Sequence, residues 1–574
     1  MSGLFRSLRP LENPIGFGAA DFIILAWAAL LALLWLAAAR LEPGMRRLAQ
    51  RTRWSMALLF ALPIILRLAM LGIAPVPEPR TPDDFAFLLS ADTLAHFRLA
   101  NPVHPMHQFF ETNFVLQEPT YCSIYPLGQG ILLAAGQLLF RQPWAGVLLG
   151  GGLFCALCYW MLLGWTTPEW ALAGGLIAAT QYGPMQYWVN TYWGGYLTAA
   201  AGCLIFGALP RLHVRVARRD AILLGVGLGI GWLTRPFETV ILSACVGLFL
   251  LLRWRAMIRI TAIAFLAALP AIGLSLLQNR AVTGNWLTLP YILSQHQYGI
   301  PTSFTFQPVP TPHRALTQEQ KVDYDLQSAV HGTAPDSVAA LFRRLGGRVR
   351  FYRWFFPVPL LLVLPAFLPA LRQPRFLWLA AALAIVVVGT NFYPYFYPHY
   401  IAGATCLFVL LMVTALERAS RWRRDAVRLL VLLCGVHFLF WYGLQLLSAW
   451  PPALALTNQY ESWDYVNHRD DPEGRVAIDR QLAAAPGKQL VFVRYAPEHR
   501  LRQWVWNAAD IDKSRIVRAL DLGAGENEKL KRYYPARTVW LLEPDINPPR
   551  LTPYRELTAP LQFEGVPDLP LSPR

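Results

Sequence analysis

Apolar runs long enough to cross a membrane recur along most of this chain and limit what it can fold into. About 20 predominantly apolar residues span the hydrocarbon core of a bilayer. Runs near that length lie at residues 21–39, 54–73, 143–164, 170–188, 195–210, 220–234, 238–252, 258–277, 354–371, 375–392, 400–417 and 427–448. Of the 574 residues, 55% are hydrophobic and only 15% are charged. The sequence therefore predicts a polytopic α-helical membrane protein with about 12 spans.

Short basic loops predict the orientation of these spans, because Lys and Arg are retained on the cytoplasmic side. Basic clusters at residues 40–53, 211–219, 253–259, 372–375 and 418–428 fall on one face if the chain begins and ends outside the cytoplasm. A first loop at 74–142, an insertion at 278–353 and the tail are then extracytoplasmic. The net charge of +16 reflects these anchors, and we expect no nucleic-acid partner.

The chain is expected to divide into a transmembrane domain, residues 1–450, and a soluble α/β domain, residues 451–574. In the tail, runs at 489–495, 515–520 and 538–542 predict buried strands, and 526–534 predicts a helix. The segment Asp521-Leu522-Gly523-Ala524-Gly525 is similar to a nucleotide-binding glycine loop. It lacks the third glycine of that fingerprint, so we predict no nucleotide site.

An acidic pair, Asp83 and Asp84, follows the second apolar run. Carboxylates at a membrane surface are costly to desolvate and mostly handle protons, ions or substrate. Residues 85–98 alternate apolar and polar side chains at helical spacing, which predicts a helix on the membrane surface. The apolar segment 127–140 is too short to span and is expected to lie at the interface.

An extracytoplasmic loop that opens with Asp83-Asp84, continues in surface helices and closes on Tyr125-Pro126-Leu127 resembles the GT-C membrane glycosyltransferases. The nearer branch is glycosyltransferase family 39, which includes protein O-mannosyltransferases and the aminoarabinose transferases that modify lipid A. The resemblance covers about residues 54–277 and rests on topology beyond them.

The resemblance implies a bacterial inner membrane enzyme with its active site on the periplasmic side. Such an enzyme moves a sugar from a polyprenyl-phosphate donor to an extracytoplasmic acceptor, which is a lipid, a glycan or a protein. Membrane lipids surround it. It also implies that Asp83 is the catalytic base and that Asp84 lies beside it. Many family members carry Lys where this chain has Tyr125, so a phosphate-binding role does not transfer to that position.

A phosphate leaving group needs positive charge or hydrogen-bond donors opposite the carboxylates. Arg235, before Pro236, resembles a basic residue of the family, although Arg235 and Glu238 could simply pair at a helix end. The tyrosines near His399 could form an aromatic belt or stack on sugars. The predicted substrate-binding residues are Arg98, His104, His107, Glu111, Tyr125, Arg235, Glu238, His399 and Tyr400.

A divalent metal ion is an open alternative, with Asp84, His104 and His107 as the potential ligands. Their spacing is loose, and the prolines at 102 and 105 break any helix that would align the two histidines. No other cofactor is indicated.

A transporter or flippase of lipid-linked sugars is the alternative function. Such proteins carry ionisable residues in mid-membrane and broken helices in repeated halves. The apolar runs hold no Asp or Glu at depth, and Arg67 lies near the outer end of its run. These features favour the transferase.

Overall fold

The computed structural model describes residues 19–251, 254–332, 334–451, 453 and 474–554. The chain forms two compact units. The first comprises Met1–Val103, Thr112–Pro472 and Arg500–Gln503, and the second comprises His104–Glu111, Glu473–His499 and Trp504–Arg574. The second unit thus takes in eight residues of the first loop, His104–Glu111, besides most of the tail. The parts of the predicted tail domain at 454–473 and 555–574 lie outside the described residues.

Helices dominate the first unit. Its first helices are α1 (Ala19–Ala49), α2 (Thr52–Ala69), α3 (Pro82–Ala95), α4 (Leu127–Phe140), α5 (Pro143–Leu162), α6 (Pro168–Gln181), α7 (Tyr196–Val214), α8 (Arg218–Thr234), α9 (Pro236–Leu251) and α10 (Trp254–Thr283). The remaining ones are α11 (Pro290–Tyr298), α12 (Gln318–His331), α13 (Val338–Gly347), α14 (Val349–Tyr352), α15 (Pro374–Thr390), α16 (Thr405–Ser420) and α17 (Arg424–Leu446). Short 3₁₀ segments lie at Arg353–Phe355, Val358–Arg372 and Pro398–Ala404, and β1 (Val115–Leu116) pairs antiparallel with β2 (Cys122–Ser123).

The predicted multi-pass membrane fold is confirmed. Among the described residues six helices are long and apolar enough to cross a membrane, or up to eight if each of two bent pairs is one span. They are Thr52–Ala69, Pro143–Leu162, Tyr196–Val214, Met257–Thr283, Pro398–Ser420 and Arg424–Leu446. This number is smaller than the predicted 12, because several apolar runs form shorter helices, including α9 and α15. The run at 354–371 contains Pro365 and Pro369 and forms a 3₁₀ segment.

The helices pack closely around small residues. A side chain at Gly202 of α7 would collide with the backbone of Gly403, since a Cβ there would lie 1.9 Å from its carbonyl oxygen. Glycine lets the two segments approach to a distance that any other residue prevents. Tyr187, Trp188 and Phe355 are among the fully buried side chains of the same core.

The prediction that residues 85–98 form a surface helix is wrong. The helix exists as α3, but Phe85, Phe87, Leu89 and Ala91 on several of its faces are buried. The spacing of polar residues misled the prediction because Ser90 and Thr93 are buried as well, and Thr93 donates its hydroxyl to the Leu89 carbonyl. By contrast, the short helix predicted at 127–140 is present as α4.

The second unit contains the small α/β fold that the tail sequence predicts. Its elements are α18 (Arg475–Ala484), β3 (Lys488–Val493), β4 (Ile516–Leu520), α19 (Ala524–Tyr533), β5 (Arg537–Glu543) and β6 (Arg550–Pro553). The strand order is β4-β3-β5-β6, with β3 parallel to both β4 and β5, and β6 antiparallel to β5. A buried cluster that includes Val491, Trp504 and Leu542 forms the core against α18.

The glycine loop of the tail lies between β4 and α19, inside a strand–helix–strand unit. Oδ1 of Asp521 accepts hydrogen bonds from the backbone N–H of Gly523 at 3.1 Å and from the Asn527 amide at 2.6 Å. The loop therefore satisfies its own donors with a protein carboxylate. Gly523 adopts a φ of +92°, which favours glycine.

Candidate active site

The acidic pair lies in the first turn of α3. Thr81 is the N-cap, Pro82 occupies the first helical position, and Asp83 and Asp84 follow. The Thr81 hydroxyl accepts a hydrogen bond from the backbone N–H of Asp84, and the Asp84 carboxylate in return accepts one from the backbone N–H of Thr81 at 3.2 Å. This reciprocal arrangement is a capping box, and it fixes where the helix starts and the direction of both carboxylates.

Asp84 is buried and its hydrogen-bonding capacity is used by the protein. Its Oδ2 also accepts from the backbone N–H of Arg80 at 3.0 Å, and its Oδ1 accepts from the backbone N–H of Tyr192 at 2.9 Å. The Thr81 hydroxyl, 3.2 Å from Oδ2, is a fourth donor, and a carboxylate with four donors aimed at it is held in one rotamer. Asp84 therefore ties the loop that precedes α3 to the loop that precedes α7.

The loop before α7 makes two further hydrogen bonds to the same region. The Trp193 indole N–H donates to the Thr81 hydroxyl at 2.6 Å, and the Tyr192 hydroxyl donates to the Pro77 carbonyl at 2.9 Å. The loop then turns at Gly194 and Gly195, whose φ angles are +90° and +133°. A Cβ at Gly195 would lie 2.6 Å from the Trp188 ring, so glycine is required there.

Asp83 is partly accessible and forms a different set of interactions. Its Oδ1 accepts a short hydrogen bond from the Tyr125 hydroxyl, and the Tyr125 ring stacks on Phe87 with 4.4 Å between centroids. Desolvation raises the pKa of Asp83 to about 6, against the lowering effects of Tyr125 and Arg235, while Asp84 adds a further upward contribution. A carboxylate with such a pKa is ionised at neutral pH and can still accept a proton.

Arg235 lies between the end of α8 at Thr234 and the start of α9 at Pro236. Its positive charge acts on Asp83. Its guanidinium carbon lies 4.7 Å from the centroid of the Tyr400 ring. Glu238, one turn further on, is its strongest charged neighbour, with Asp83 also in range. Glu238 and Tyr400 line a small cleft together with Thr390 and apolar residues. Both the predicted helix-end pairing and the predicted position near the carboxylates are thus compatible with the geometry.

Aromatic side chains surround His399 beside this group. The Tyr187 hydroxyl lies 3.0 Å from Nδ1 of His399 and accepts from the backbone N–H of His399 at 3.0 Å. The Tyr397 ring is stacked on His399 with 5.7 Å between centroids, and the Trp193 ring meets it edge-on at 5.4 Å. His399 is therefore buried in an aromatic cluster that also contacts Tyr400.

The structure brings together seven of the predicted site residues. The seven are Asp83, Asp84, Tyr125, Arg235, Glu238, His399 and Tyr400. Arg98 is half-buried just beyond α3, and its backbone N–H donates to the Thr93 carbonyl. His104, His107 and Glu111 belong to the second unit.

The three residues of the second unit have partners there. Nε2 of His104 lies 3.2 Å from Oδ1 of Asp512 and 3.0 Å from the Tyr534 hydroxyl. Nδ1 of His107 lies 4.0 Å from the Glu111 carboxylate. These contacts hold the 104–111 segment against α19 and the neighbouring chain.

The potential metal ligands do not fit a metal centre. No group of three or more His, Cys, Asp or Glu side chains able to hold an ion occurs in the described part of the chain. Asp84 already accepts backbone and hydroxyl hydrogen bonds on both oxygens, and His104 is engaged by Asp512 and Tyr534. A metal would have to displace these partners.

Arg67 supports the site from inside a span and was not predicted to do so. Its side chain is only 1% exposed in α2. It donates to Oδ1 of Asn190 at 2.9 Å and to the carbonyls of Ala74 and Pro75 at 2.8 and 2.9 Å, and it lies 4.7 Å from the Trp144 ring. It therefore joins the same two loops that Asp84 joins.

A third acidic residue, Asp323, also escaped the sequence analysis. It lies on α12, in the insertion between α10 and α13, and is 5% exposed. Desolvation raises the pKa of Asp323 to about 7, and the negative charge of Asp83 contributes. In the sequence it is one of several acidic residues of a polar segment, and nothing there distinguishes it.

Comparison with solved structures gives matches to two kinds of protein. ArnT from Cupriavidus metallidurans in the apo state is 13% identical, with 85% of this chain and 92% of that chain covered and a TM-score of 0.47. The same protein bound to undecaprenyl phosphate gives a TM-score of 0.49 at the same identity and coverage.

The Archaeoglobus fulgidus oligosaccharyltransferase in its apo form is 12% identical, covers 76% of this chain and 62% of its own, and has a TM-score of 0.32. No family model and no curated protein matches the sequence.

Proposed function

We propose that this protein is an inverting membrane glycosyltransferase that moves a sugar from a polyprenyl-phosphate donor to an extracytoplasmic acceptor. The observation that carries the proposal is the pairing of Asp83 with Tyr125 at the start of α3, with Arg235 within electrostatic range. The partly accessible carboxylate of Asp83 thus lies within electrostatic range of the Arg235 guanidinium. The neighbouring Asp84 carboxylate instead accepts hydrogen bonds from the backbone.

The proposed chemistry uses Asp83 as a general base. An acceptor hydroxyl is a poor nucleophile until its proton is removed as it attacks, and a positioned carboxylate contributes roughly 10² to 10⁴ in rate. The oxygen of the acceptor bonds to the anomeric carbon, the bond from that carbon to the phosphate oxygen breaks, and Asp83 takes the proton. Attack from the face opposite the phosphate inverts the anomeric centre.

The leaving polyprenyl phosphate needs positive charge and hydrogen-bond donors but no proton from a general acid. Arg235 supplies the charge in this proposal, and Tyr400, against which it packs, supplies a hydroxyl. The Tyr291 and Tyr393 hydroxyls, 2.8 Å apart, are further donors of the kind that bind phosphate oxygens. The aromatic rings around His399 offer apolar faces of the kind on which sugars stack.

We further propose that the enzyme lies in a bacterial inner membrane with Asp83 on the periplasmic side. The basic loops at 40–53, 211–219 and 418–428 support this orientation, because they stay in the cytoplasm. The acceptor is then a lipid, glycan or protein of the cell envelope. A transporter of lipid-linked sugars would share the donor but leave its sugar–phosphate bond intact.

The test is a transfer assay with the purified full-length protein in nanodiscs. Undecaprenyl phosphate linked to radiolabelled mannose, glucose or 4-amino-4-deoxyarabinose is the donor, and a total envelope lipid extract is the acceptor. Release of undecaprenyl phosphate by the wild type but not by Asp83→Asn supports the proposal. Movement of intact donor across the bilayer of proteoliposomes without release of undecaprenyl phosphate would establish the transporter instead.

A further inference from the structure

The helix α12 of the insertion buries its polar face. Glu319, Gln320, Asp323, Gln327 and His331 recur at helical spacing, and each is at most 5% exposed. On the other side Leu326 and Val330 are 45% and 43% exposed. A surface helix of a stable domain normally buries apolar residues and exposes polar ones, so α12 is inverted.

Burying polar side chains costs free energy unless hydrogen bonds compensate. Part of the polar face is satisfied by the protein. The Gln320 amide donates to the Thr112 carbonyl at 3.3 Å, and Oε1 of Gln327 accepts from the backbone N–H of Thr302 at 2.7 Å. Nε2 of His331 lies 3.1 Å from the Phe304 carbonyl oxygen. These contacts hold the helix in place and account for three of the five residues.

The hydrogen bonds of Asp323 come from a single side chain. Both of its oxygens accept from one atom, the amide nitrogen of Gln327, at 3.0 Å each. A carboxylate offers about four acceptor positions, and one amide group fills at most two of them. The neighbouring residue of α12, Tyr324, packs against the same buried cluster as Tyr125, whose hydroxyl bonds to Asp83. The charges of Asp83 and Tyr395 also act on Asp323.

We propose that Asp323 is a substrate-contacting residue, which accepts a hydrogen bond from a hydroxyl or amino group of the carbohydrate that reacts beside Asp83. The inference rests on the proposed function. The polar face of α12 forms the wall of the substrate site that faces the insertion, and Gln327 sets the rotamer of Asp323. A negative oxygen here selects groups that donate hydrogen bonds and repels a carboxylate or phosphate at this position.

The donor sugar and the acceptor both carry hydroxyl or amino groups, and kinetics distinguish them. The full-length Asp323→Asn protein is compared with wild type for the KM of the undecaprenyl-phosphate-linked sugar, with water as the acceptor, and for the KM of the envelope lipid extract. We expect one KM to rise at least ~10-fold, which corresponds to a lost hydrogen bond to a charged group. A higher donor KM assigns Asp323 to the sugar, and a higher acceptor KM assigns it to the acceptor.

Asp325→Asn is the matched control, because Asp325 lies on the exposed side of the same helix and loses the same charge. It should keep both KM values. The inference would be overturned if Asp323→Asn left both KM values unchanged, or if Asp325→Asn changed them equally. Either result would leave the proposed transferase activity in place. A fall in melting temperature together with a loss of undecaprenyl phosphate binding would show a purely structural role and also overturn it.

Should Asp323→Asn prove too unstable to purify, Gln327→Glu removes the amide that donates to Asp323 and places a second carboxylate next to it. We expect the same KM to rise in that variant. A wild-type protein that neither transfers nor hydrolyses any of the donors would remove the proposed function, and this inference with it.

Discussion

The backbone N–H of Tyr192 donates a hydrogen bond to Oδ1 of Asp84 at 2.9 Å, across 108 residues of chain. Together with the capping box at Thr81, this bond separates the roles of two adjacent acids. Asp84 holds two loops together and is buried, whereas Asp83 meets Tyr125 and keeps some exposure. Adjacent positions in the first turn of a helix point about 100° apart, which is why one faces the protein and the other the site.

Replacing Asp83 by Asn should abolish the base without disturbing the fold. The amide is nearly isosteric, so we expect an unchanged melting temperature and retained binding of undecaprenyl phosphate. Transfer should fall at least ~100-fold, the lower end of a general base contribution. Turnover within a factor of a few of wild type would exclude Asp83 as the base.

Asp84→Asn should act mainly through stability. One amide oxygen can still accept from Tyr192, but the NH₂ group would face the N–H donors of Arg80 and Thr81. We expect the free energy of unfolding to fall by about 1–3 kcal/mol, as for buried groups that lose their partners. Denaturation of this variant and of Asp83→Asn under identical conditions distinguishes the two roles, and equal melting temperatures would contradict the difference argued here.

Tyr125→Phe should move the acidic limb of the pH profile. The Tyr125 hydrogen bond lowers the pKa of Asp83 against desolvation, and the resulting pKa is about 6. Because the base must be ionised, activity should rise with pH through that value and then level off. Loss of the hydroxyl removes a lowering effect, so the pKa rises and the limb shifts to higher pH.

Tyr291→Phe is the control for that measurement. It removes a hydroxyl that bonds to Tyr393 and not to Asp83, so the position of the limb should remain near that of wild type. A limb that stays in place in Tyr125→Phe, or moves to lower pH, would show that Asp83 is not the group titrated.

The sequence predicts the helical membrane fold, the short helix α4 and the strands of the tail well, because each follows from a local hydrophobic pattern. The capping box can also be recognised in the sequence, since Thr81-Pro82-Asp83-Asp84 has a hydroxyl at the N-cap and a carboxylate three residues later. Interpreting both acids as chemical groups overlooked that Asp84 has a local structural use.

Other features could not be predicted because they depend on contacts between distant segments. In the sequence, Arg67 is a charged residue near the outer end of an apolar run. Its hydrogen bonds to Asn190, Ala74 and Pro75 depend on the folded chain. Likewise, His104 is a potential metal ligand in the sequence, but its partners are Asp512 and Tyr534, some 400 residues away.

Arg67→Lys should destabilise the protein although the charge is kept. The guanidinium donates to three acceptors in fixed directions, which one ammonium on a shorter head group cannot reproduce. Each lost hydrogen bond from a charged group costs about 1.5–3 kcal/mol, so the melting temperature should fall clearly. The exposed Arg46, which pairs with Glu42 on the same helix, is the control. Arg46→Lys should change little, and an equal effect of both substitutions would contradict the bracing role of Arg67.

Membrane topology decides whether Asp83 can meet a periplasmic acceptor. Phe97 is 90% exposed just beyond α3, and Asp325 is exposed on the insertion. In a cysteine-free background, single cysteines at these positions should react with a membrane-impermeant thiol reagent in intact cells. Cysteines at Thr52 and Arg218, which are exposed in the basic loops, should react only after the membrane is opened.

The arrangement of basic loops on alternate sides makes this test sensitive, because one miscounted span inverts every later loop. Reaction at Phe97 but not at Asp325 would place the insertion on the side opposite Asp83 and remove Asp323 from the substrate site. Protection of Phe97 with labelling of Thr52 would place Asp83 in the cytoplasm. The donor could then still be a polyprenyl phosphate sugar, but its acceptor would have to be cytoplasmic, contrary to the proposal made for this enzyme.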